Sequence, residues 1–410
     1  MCEDTQKVAV NQAEKVSLEQ VIRLGVQQLL KVALEAEIQT YLAQFANMKT
    51  PEGFHAVVRN GFHRARMVTS CQGPVEVTVP RSRSRVPGVP PFVSALIPKY
   101  MRKTVAVEDA LPLFYLGGLS NGDFIPCFEK LFGTLPAGFS SASITRLKKA
   151  WIAEMTQWRQ RDISDARYCY LWVDGIYFNT RLTEGRLCVL VVIGARENGT
   201  KELVAVAGGY REGAETWRTL LRDLRDRGMP SPLLCIGDGA LGFWKAIIDI
   251  YPEAQHQRCW VHKTANILAK LPKSAQPQTK TLIHDMYRAE TEKQARTSYR
   301  AFIKRYRDIY PKAVTCLTKD EDRLFTFYRF PAIHWQHIRS TNVIESTFAT
   351  VRLRTRQTRG HSTMQMTLAM VFKLAERAAL RWRKLRGFRL LTLVSKGIKF
   401  TDGKIDTLAA

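Results

Sequence analysis

From Tyr168 onward the chain changes its hydrophobic rhythm in an order that few folds can accommodate. Tyr168 to Phe178 (YCYLWVDGIYF), Leu187 to Ala195 (LCVLVVIGA) and Glu202 to Ala207 (ELVAVA) are β-rich runs close together in sequence. Such spacing suits antiparallel neighbours. A helix over Glu215 to Arg227 follows, then a short apolar strand from Leu233 to Gly237. A second helix, Leu241 to Tyr251, leads to another short strand, His256 to Trp260. Residues 263 to 340 then interrupt the alternation with charged, strongly helical sequence, and a helix from Val343 to about Arg354 resumes it.

Three meandering strands followed by helix, strand, helix and strand is the order of an α/β ribonuclease H-like core. Within it three carboxylates stand out by context. Asp174 lies midway along an otherwise apolar strand (LWVDGIYF), where a charge is costly unless something compensates it. Asp238 ends a short buried strand in IGDGALGFW, and strand C-terminal ends are where α/β sheets present ligands. Glu345 sits in STNVIESTFATVRLRTR at the start of the last core helix. Each has a structural alternative: a turn or bulge aspartate beside Gly175, a helix N-cap before Ala240, and a capping box with Asn342 as its cap. Together the first strand, the following short strand and a late helix would bring all three to one edge of the sheet. Hard oxygen ligands of that kind suit Mg²⁺ or Mn²⁺, and two such ions would support phosphoryl transfer.

The charge agrees with that chemistry. Lys+Arg number 62 against 37 Asp+Glu, a net +25, which points to a polyanionic partner such as double-stranded DNA. The longest apolar run, Leu187 to Ala195, is far short of the ~20 residues of a spanning helix, and the first residues lack a signal-peptide pattern. Eight scattered cysteines without a C-x-x-C pair argue for thiols in a reducing compartment. A cytoplasmic, nucleoid-associated protein is the expectation.

Ahead of the core, residues 1–55 read as an N-terminal helical region, with apolar residues at helical spacing over 16–45. Residues 56–104 alternate short β-type runs with Gly, Pro and Arg, and the Pro80 to Pro91 stretch reads as an arm or linker, either solvated or following a DNA groove. Residues 105–158 read as three helices: about Val105 to Tyr115, a second after Gly117-Gly118-Leu119 with Ser120 as its cap, and a third from about Ser141. The last pair would suit a helix-turn-helix presenting Arg146, Lys148 and Lys149 to DNA. An ordinary three-helix packing unit would show the same caps. The core then divides into 168–262, the insertion 263–340, and 341–410 with the last core helix and basic C-terminal helices, including a basic amphipathic helix over Met366 to Leu385.

Cys259-x-x-His262 has the spacing of half a zinc site, but no second pair lies at metal spacing. It is either a buried structural pair, or His262 bonds a phosphate or a metal-bound water in support of the site. Trp335 could fill a core or stack on an exposed base. After Glu345 come Arg352, Arg354, Arg356 and Arg359; Arg352 and Arg356 share a helix face and would grip the strand being cut.

The segments WVDGIYF around Asp174, GDGALGFWKAI around Asp238, QRCWVHKTANIL around Cys259 and His262, FPAIHW around His334 and NVIESTFATVRLRTRQTRG around Glu345 resemble those of the bacterial Mutator-type insertion-sequence transposases, which carry an Asp-Asp-Glu triad. The resemblance runs from about residue 50 to near the C-terminus, and Val343 departs from the proline usual before IES. It implies a ribonuclease H-like core with an all-α insertion, N-terminal binding to terminal inverted repeats, and transposition through a copied-out circular intermediate. A homodimer acting on repeat and target DNA is the corresponding expectation. The competing readings are a structure-selective nuclease on the same core, which leaves the helix-turn-helix unexplained, and a domesticated DNA-binding repressor, against which three intact acids count.

Overall fold

A computed structural model describes residues 17–119, 123–132, 141–179, 186–209, 213–239, 241–358 and 363–406. The chain forms two compact units, 1–146 and 147–410, the division falling within a helix.

In the first unit, α1 (Leu18–Ala43) is one continuous helix started by a Ser17–Gln20 capping box. Strand β1 (Val57–Phe62) pairs with β4 (Pro80–Ser84), and β2 (Arg66–Ser70) with β3 (Gly73–Val77). Leu34 and Ile38 of α1 close a small core with Val68, Val75, Val77, Val79, Phe92 and Ile97. The Arg/Pro-rich stretch is therefore packed at both ends: Pro80–Ser84 is a paired strand, and Phe92 is buried. Helices α2 (Val105–Gly117), α3 (Phe124–Phe132) and α4 (Ser141–Arg159) follow, the last crossing the division. Ser120 lies outside the described residues.

The second unit is built on a five-stranded mixed sheet of β5 (Tyr168–Asn179), β6 (Arg186–Arg196), β7 (Lys201–Gly209), β8 (Leu234–Gly237) and β9 (Gln255–Arg258) in the order β7-β6-β5-β8-β9. β6 runs antiparallel to β5 and β7, while β8 and β9 run parallel to β5. This is the strand order and polarity of a ribonuclease H-like sheet. Helices α5 (Ala214–Asp226) and α6 (Leu241–Ile250) supply Trp217, Leu220, Leu221, Leu224, Phe243 and Ile247 to one core with Leu171, Val173, Leu190, Val192 and Cys235. That explains why β6 reads as an unbroken apolar run, since a strand covered on both faces has no solvent side to mark.

Between β9 and the last core helix the named helices are α7 (Trp260–Leu268), α8 (Gln276–Arg288), α9 (Glu292–Tyr306), α10 (Pro311–Thr318) and the single turn α11 (Trp335–Ile338). The strand expected over His256 to Trp260 stops at Arg258. Cys259 donates its N–H to the Gly237 carbonyl at 2.8 Å and then caps α7, so Trp260 already belongs to the helix. Helix α12 (Asn342–Thr358) packs on β5 and β6, and α13 (Met364–Ala379) on β7. Although it was expected to be a basic amphipathic helix, α13 buries Met366, Leu368, Met370, Val371, Phe372 and Leu374, so it serves as a core layer. The chain ends with α14 (Leu391–Ser395) and a hairpin of β10 (Phe400–Thr401) and β11 (Lys404–Ile405).

His334 locks this unit together. It is wholly buried, its Nδ1 lies 2.8 Å from the Tyr170 hydroxyl, and its Nε2 lies 2.9 Å from the Gly387 carbonyl. A carbonyl can only accept, so Nε2 carries the proton and Nδ1 accepts from Tyr170. Burial pushes its pKa down, which keeps the ring neutral. Trp335 is half-buried against Phe327 and Tyr328 and donates to the Phe330 carbonyl at 2.8 Å, so it packs as a core tryptophan. No helix among the described residues is long and apolar enough to cross a membrane.

Candidate active site

Side chains alternate along a strand, so Leu171 and Val173, which enter the core with α5 and α6, leave Asp174 on the opposite face. On that face α12 packs, with Glu345 in its first turn. The parallel register pairs Val173 with Gly237 and Gly237 with Arg258. Asp174, Asp238 and Cys259 therefore each stand one residue beyond the same row across three parallel strands. Here the sheet presents its C-terminal edge, and the sequence-expected carboxylates converge on it.

Room for this row depends on two glycines. A Cβ on Gly237 would sit 2.9 Å from Val173 Cγ2, and one on Gly239 would meet the Arg258 guanidinium at 2.6 Å. Asp238 accepts from the Gly239 N–H, and its Oδ1 lies 2.8 Å from Arg258 Nη1 in an ion pair. Arg258 is 1% exposed. Its Nε reaches Asp320 Oδ2 at 3.3 Å, where the equally buried Lys263 also binds at 2.8 Å. Burial pushes the Asp320 carboxyl up, but Lys263 and Arg258 outweigh it and hold the group below its usual range. A chain of alternating charge thus runs from the insertion to Asp238.

Asp174 accepts from the Gly175 N–H at 2.8 Å and is 9% exposed. Burial, with added repulsion from Asp238 and Glu345, pushes its pKa up to about 6, against the pull of His262 and that N–H. Asp174 thus lies within electrostatic reach of both other carboxylates and of His262.

Glu345 occupies the fourth position of α12, because the helix begins at Asn342 and its carbonyl ladder starts from Thr341. A capping box with Asn342 as cap is therefore out of register. Instead Glu345 Oε1 accepts from the Thr341 hydroxyl at 3.2 Å and lies 3.8 Å from His262 Nε2. Thr341 is fully buried; its hydroxyl also lies 3.3 Å from His262 Nδ1 and 3.4 Å from Cys259 Sγ. The hydrogen bond with Cys259 pushes His262 up to about 9 against burial, with further help from Asp238 and Asp174. Burial pushes the Cys259 thiol up, but His262 and Thr341 outweigh it and lower its pKa. Each of the two groups therefore favours the charged form of the other. Sequence spacing found Cys259 and His262 without a third residue at metal spacing; in the fold a Glu345 oxygen joins them, with potential donor atoms of all three within 4.8 Å of one another.

The flanking cations divide. Arg146 and Lys149 are exposed and Lys148 half-buried on α4, Arg146 reaching back to Ser143 at 3.3 Å. On α12 Arg352 is exposed with its guanidinium over Phe348, whereas Arg354 is only 2% exposed. Two residues along a helix turn by about 200°, so both cannot face one strand of DNA; Arg354 as a DNA contact is corrected to a buried residue. The Arg356 side chain and Arg359 lie outside the described residues. Arg258, Asp320 and Thr341 are site neighbours that sequence reading missed.

The family described as "Transposase, Mutator family" matches residues 1–384. The transposase for insertion sequence element IS6120 of Mycolicibacterium smegmatis is 49% identical over 299 residues, 73% of this chain and 92% of its own length. The transposase for IST2 of Acidithiobacillus ferrooxidans is 42% identical over 274 residues, 67% of this chain and 93% of its own. Among solved structures, the HTLV-2 integrase catalytic core domain in complex with magnesium is similar over 30% of this chain and 87% of its own, at 15% identity and a TM-score of 0.18.

Proposed function

Because the chain belongs to the Mutator family of transposases, we propose that it cuts and joins DNA strands at the ends of its own insertion sequence, with Asp174, Asp238 and Glu345 as the metal-holding triad. The observation that carries this is the placement of three carboxylates, on β5, at the end of β8 and in the first turn of α12, with the buried Asp174 within electrostatic reach of both others. A divalent cation would offset the buried charge of Asp174, and an all-oxygen set suits Mg²⁺ or Mn²⁺, which retain waters and take further ligands from phosphate. Two ions bound there would favour the attacking oxyanion and offset charge on the leaving oxygen.

The chain's own residues have separate tasks in this reading. Asp174 and Asp238 are set on rigid strands, Arg258 orients Asp238 by a single ion pair, and Glu345 closes the set from α12. Residues 105–158 act as a helix-turn-helix on the terminal inverted repeats, with Arg146, Lys148 and Lys149 toward the phosphates. The all-helical stretch before α12 is the insertion, and Arg352 extends the phosphate contacts beside the site. The protein works as a homodimer on DNA in a prokaryotic cytoplasm, through a copied-out circular intermediate.

Nicking of labelled inverted-repeat DNA tests the reading. Mg²⁺ or Mn²⁺ should support cleavage, while Ca²⁺ should support binding without turnover. Cleavage in excess EDTA would contradict it.

A further inference from the structure

Cys259 is not buried like an inert core thiol. It is fully buried, yet its Sγ accepts from the Thr341 N–H at 3.4 Å, and the Thr341 hydroxyl that donates to Glu345 also stands 3.4 Å from it. Cys259 caps α7 and His262 is the third residue of that helix, so both side chains belong to one turn. The two helix starts are joined by backbone as well: the Trp260 N–H donates to the Arg339 carbonyl at 3.0 Å, two residues before Thr341. That pins the first turn of α12, and Glu345 with it, against the first turn of α7.

We propose that Cys259, His262 and Glu345 form a second metal site, selective for Zn²⁺-class ions, which shares Glu345 with the carboxylate triad. A thiolate, an imidazole and one carboxylate are a borderline-soft set that Mg²⁺ does not favour and Zn²⁺ does. The three donor atoms already lie within 4.8 Å of one another. Tetrahedral Zn²⁺, with bonds of about 2.0–2.3 Å, places its ligands about 3.3–3.7 Å apart. The Thr341 hydroxyl stands 3.4 Å from Cys259 Sγ, 3.3 Å from His262 Nδ1 and 3.2 Å from Glu345 Oε1, the spacing of a fourth vertex. The side chains of His262 and Glu345 are 30% and 33% exposed, which gives an ion a way in. Sharing Glu345 has a consequence that rests on the reading of that residue as catalytic: Zn²⁺ held here withdraws one ligand from the Mg²⁺ site, and the bound protein is inactive.

The test uses full-length protein stripped of metal, with Co²⁺ as a spectroscopic stand-in for Zn²⁺. One Co²⁺ per chain should give the near-ultraviolet thiolate charge-transfer band and the strong visible bands of tetrahedral cobalt. Zn²⁺ should abolish them and excess Mg²⁺ should not. Cys259→Ser should remove the charge-transfer band, and His262→Gln and Glu345→Gln should each weaken Zn²⁺ binding at least about tenfold. The His262 variant, at a partly exposed residue, decides the matter if the Cys259 variant does not fold. No thiolate band, or a band that survives Cys259→Ser in folded protein, would overturn the site, and unchanged Zn²⁺ affinity in Glu345→Gln would overturn the sharing. Mg²⁺-dependent nicking by a protein without the cobalt band would refute this site alone. A protein that gives the band when loaded with Co²⁺ but, stripped of cobalt, nicks no DNA with Mg²⁺ would refute the catalytic reading alone.

Discussion

Asp174→Asn should make the protein more stable while abolishing its activity. The carboxyl ionises in unfolded chain at its ordinary value of 3.8 and in the fold at about 6. That gap of about 2 pH units, at about 1.4 kcal/mol each, is about 3 kcal/mol. The sign follows from proton uptake. Below pH 3.8 both states are protonated and the group is neutral to stability. Between 3.8 and about 6 the unfolded chain ionises first, so stability falls as pH rises, and above 6 the full cost is present. Asparagine keeps the carbonyl that accepts from Gly175 and has no charge to desolvate. The stability difference between variant and parent should therefore be small at pH 4, grow through pH 5 and 6, and level off near 2–3 kcal/mol by pH 7.5. All eight tryptophans follow residue 150, so fluorescence in a urea titration reads the unit that holds the site. The titrations belong in EDTA, since a bound cation would offset the cost of the buried charge. A pH-independent difference, or an asparagine variant less stable than the parent at pH 7.5, would refute the argument that the fold bears the cost of burying this charge.

Two further outcomes follow from the same geometry. Arg258→Met removes the cation that Asp320 and Asp238 share; Lys263 still pairs with Asp320 and Asp238 is partly exposed, so the loss should be about 1–3 kcal/mol in the same titration. Adding Asp320→Asn should recover part of that loss without restoring cleavage. Replacing Arg146 and Lys149 with glutamine in the full chain should weaken repeat binding at every salt concentration and lower the log–log salt slope by about 2, read by fluorescence anisotropy. An unchanged slope would remove both from the DNA contacts.

Much of the site was legible because its residues break local patterns. A charge inside LWVDGIYF and an aspartate between glycines at the end of LLCIG cannot be explained by strand propensity, and the sheet order follows from where the β runs fall. Arg258 and Asp320 escaped notice for the opposite reason. Asp320 lies in a run, KDED, that reads as a solvated turn, and only the fold brings it to Arg258. Thr341 looked like a residue ahead of a cap, and a one-residue difference in where α12 begins turned it into the hub of the Cys259, His262 and Glu345 contacts. Arg354 was misjudged by helical phase: it stands two residues from Arg352, and a helix sends the two opposite ways.

The central claim is that Glu345 is held for its charge. Glu345→Gln preserves size and an oxygen acceptor for the Thr341 hydroxyl, but a neutral amide cannot help hold two Mg²⁺ ions against water. The decisive measurement is nicking of labelled inverted-repeat ends by this variant, beside its thermal melt and its repeat-binding curve. Parent-like melting and binding with no nicked or joined product is the expected result; parent-like nicking would leave Glu345 as a structural residue of α12 and contradict the triad.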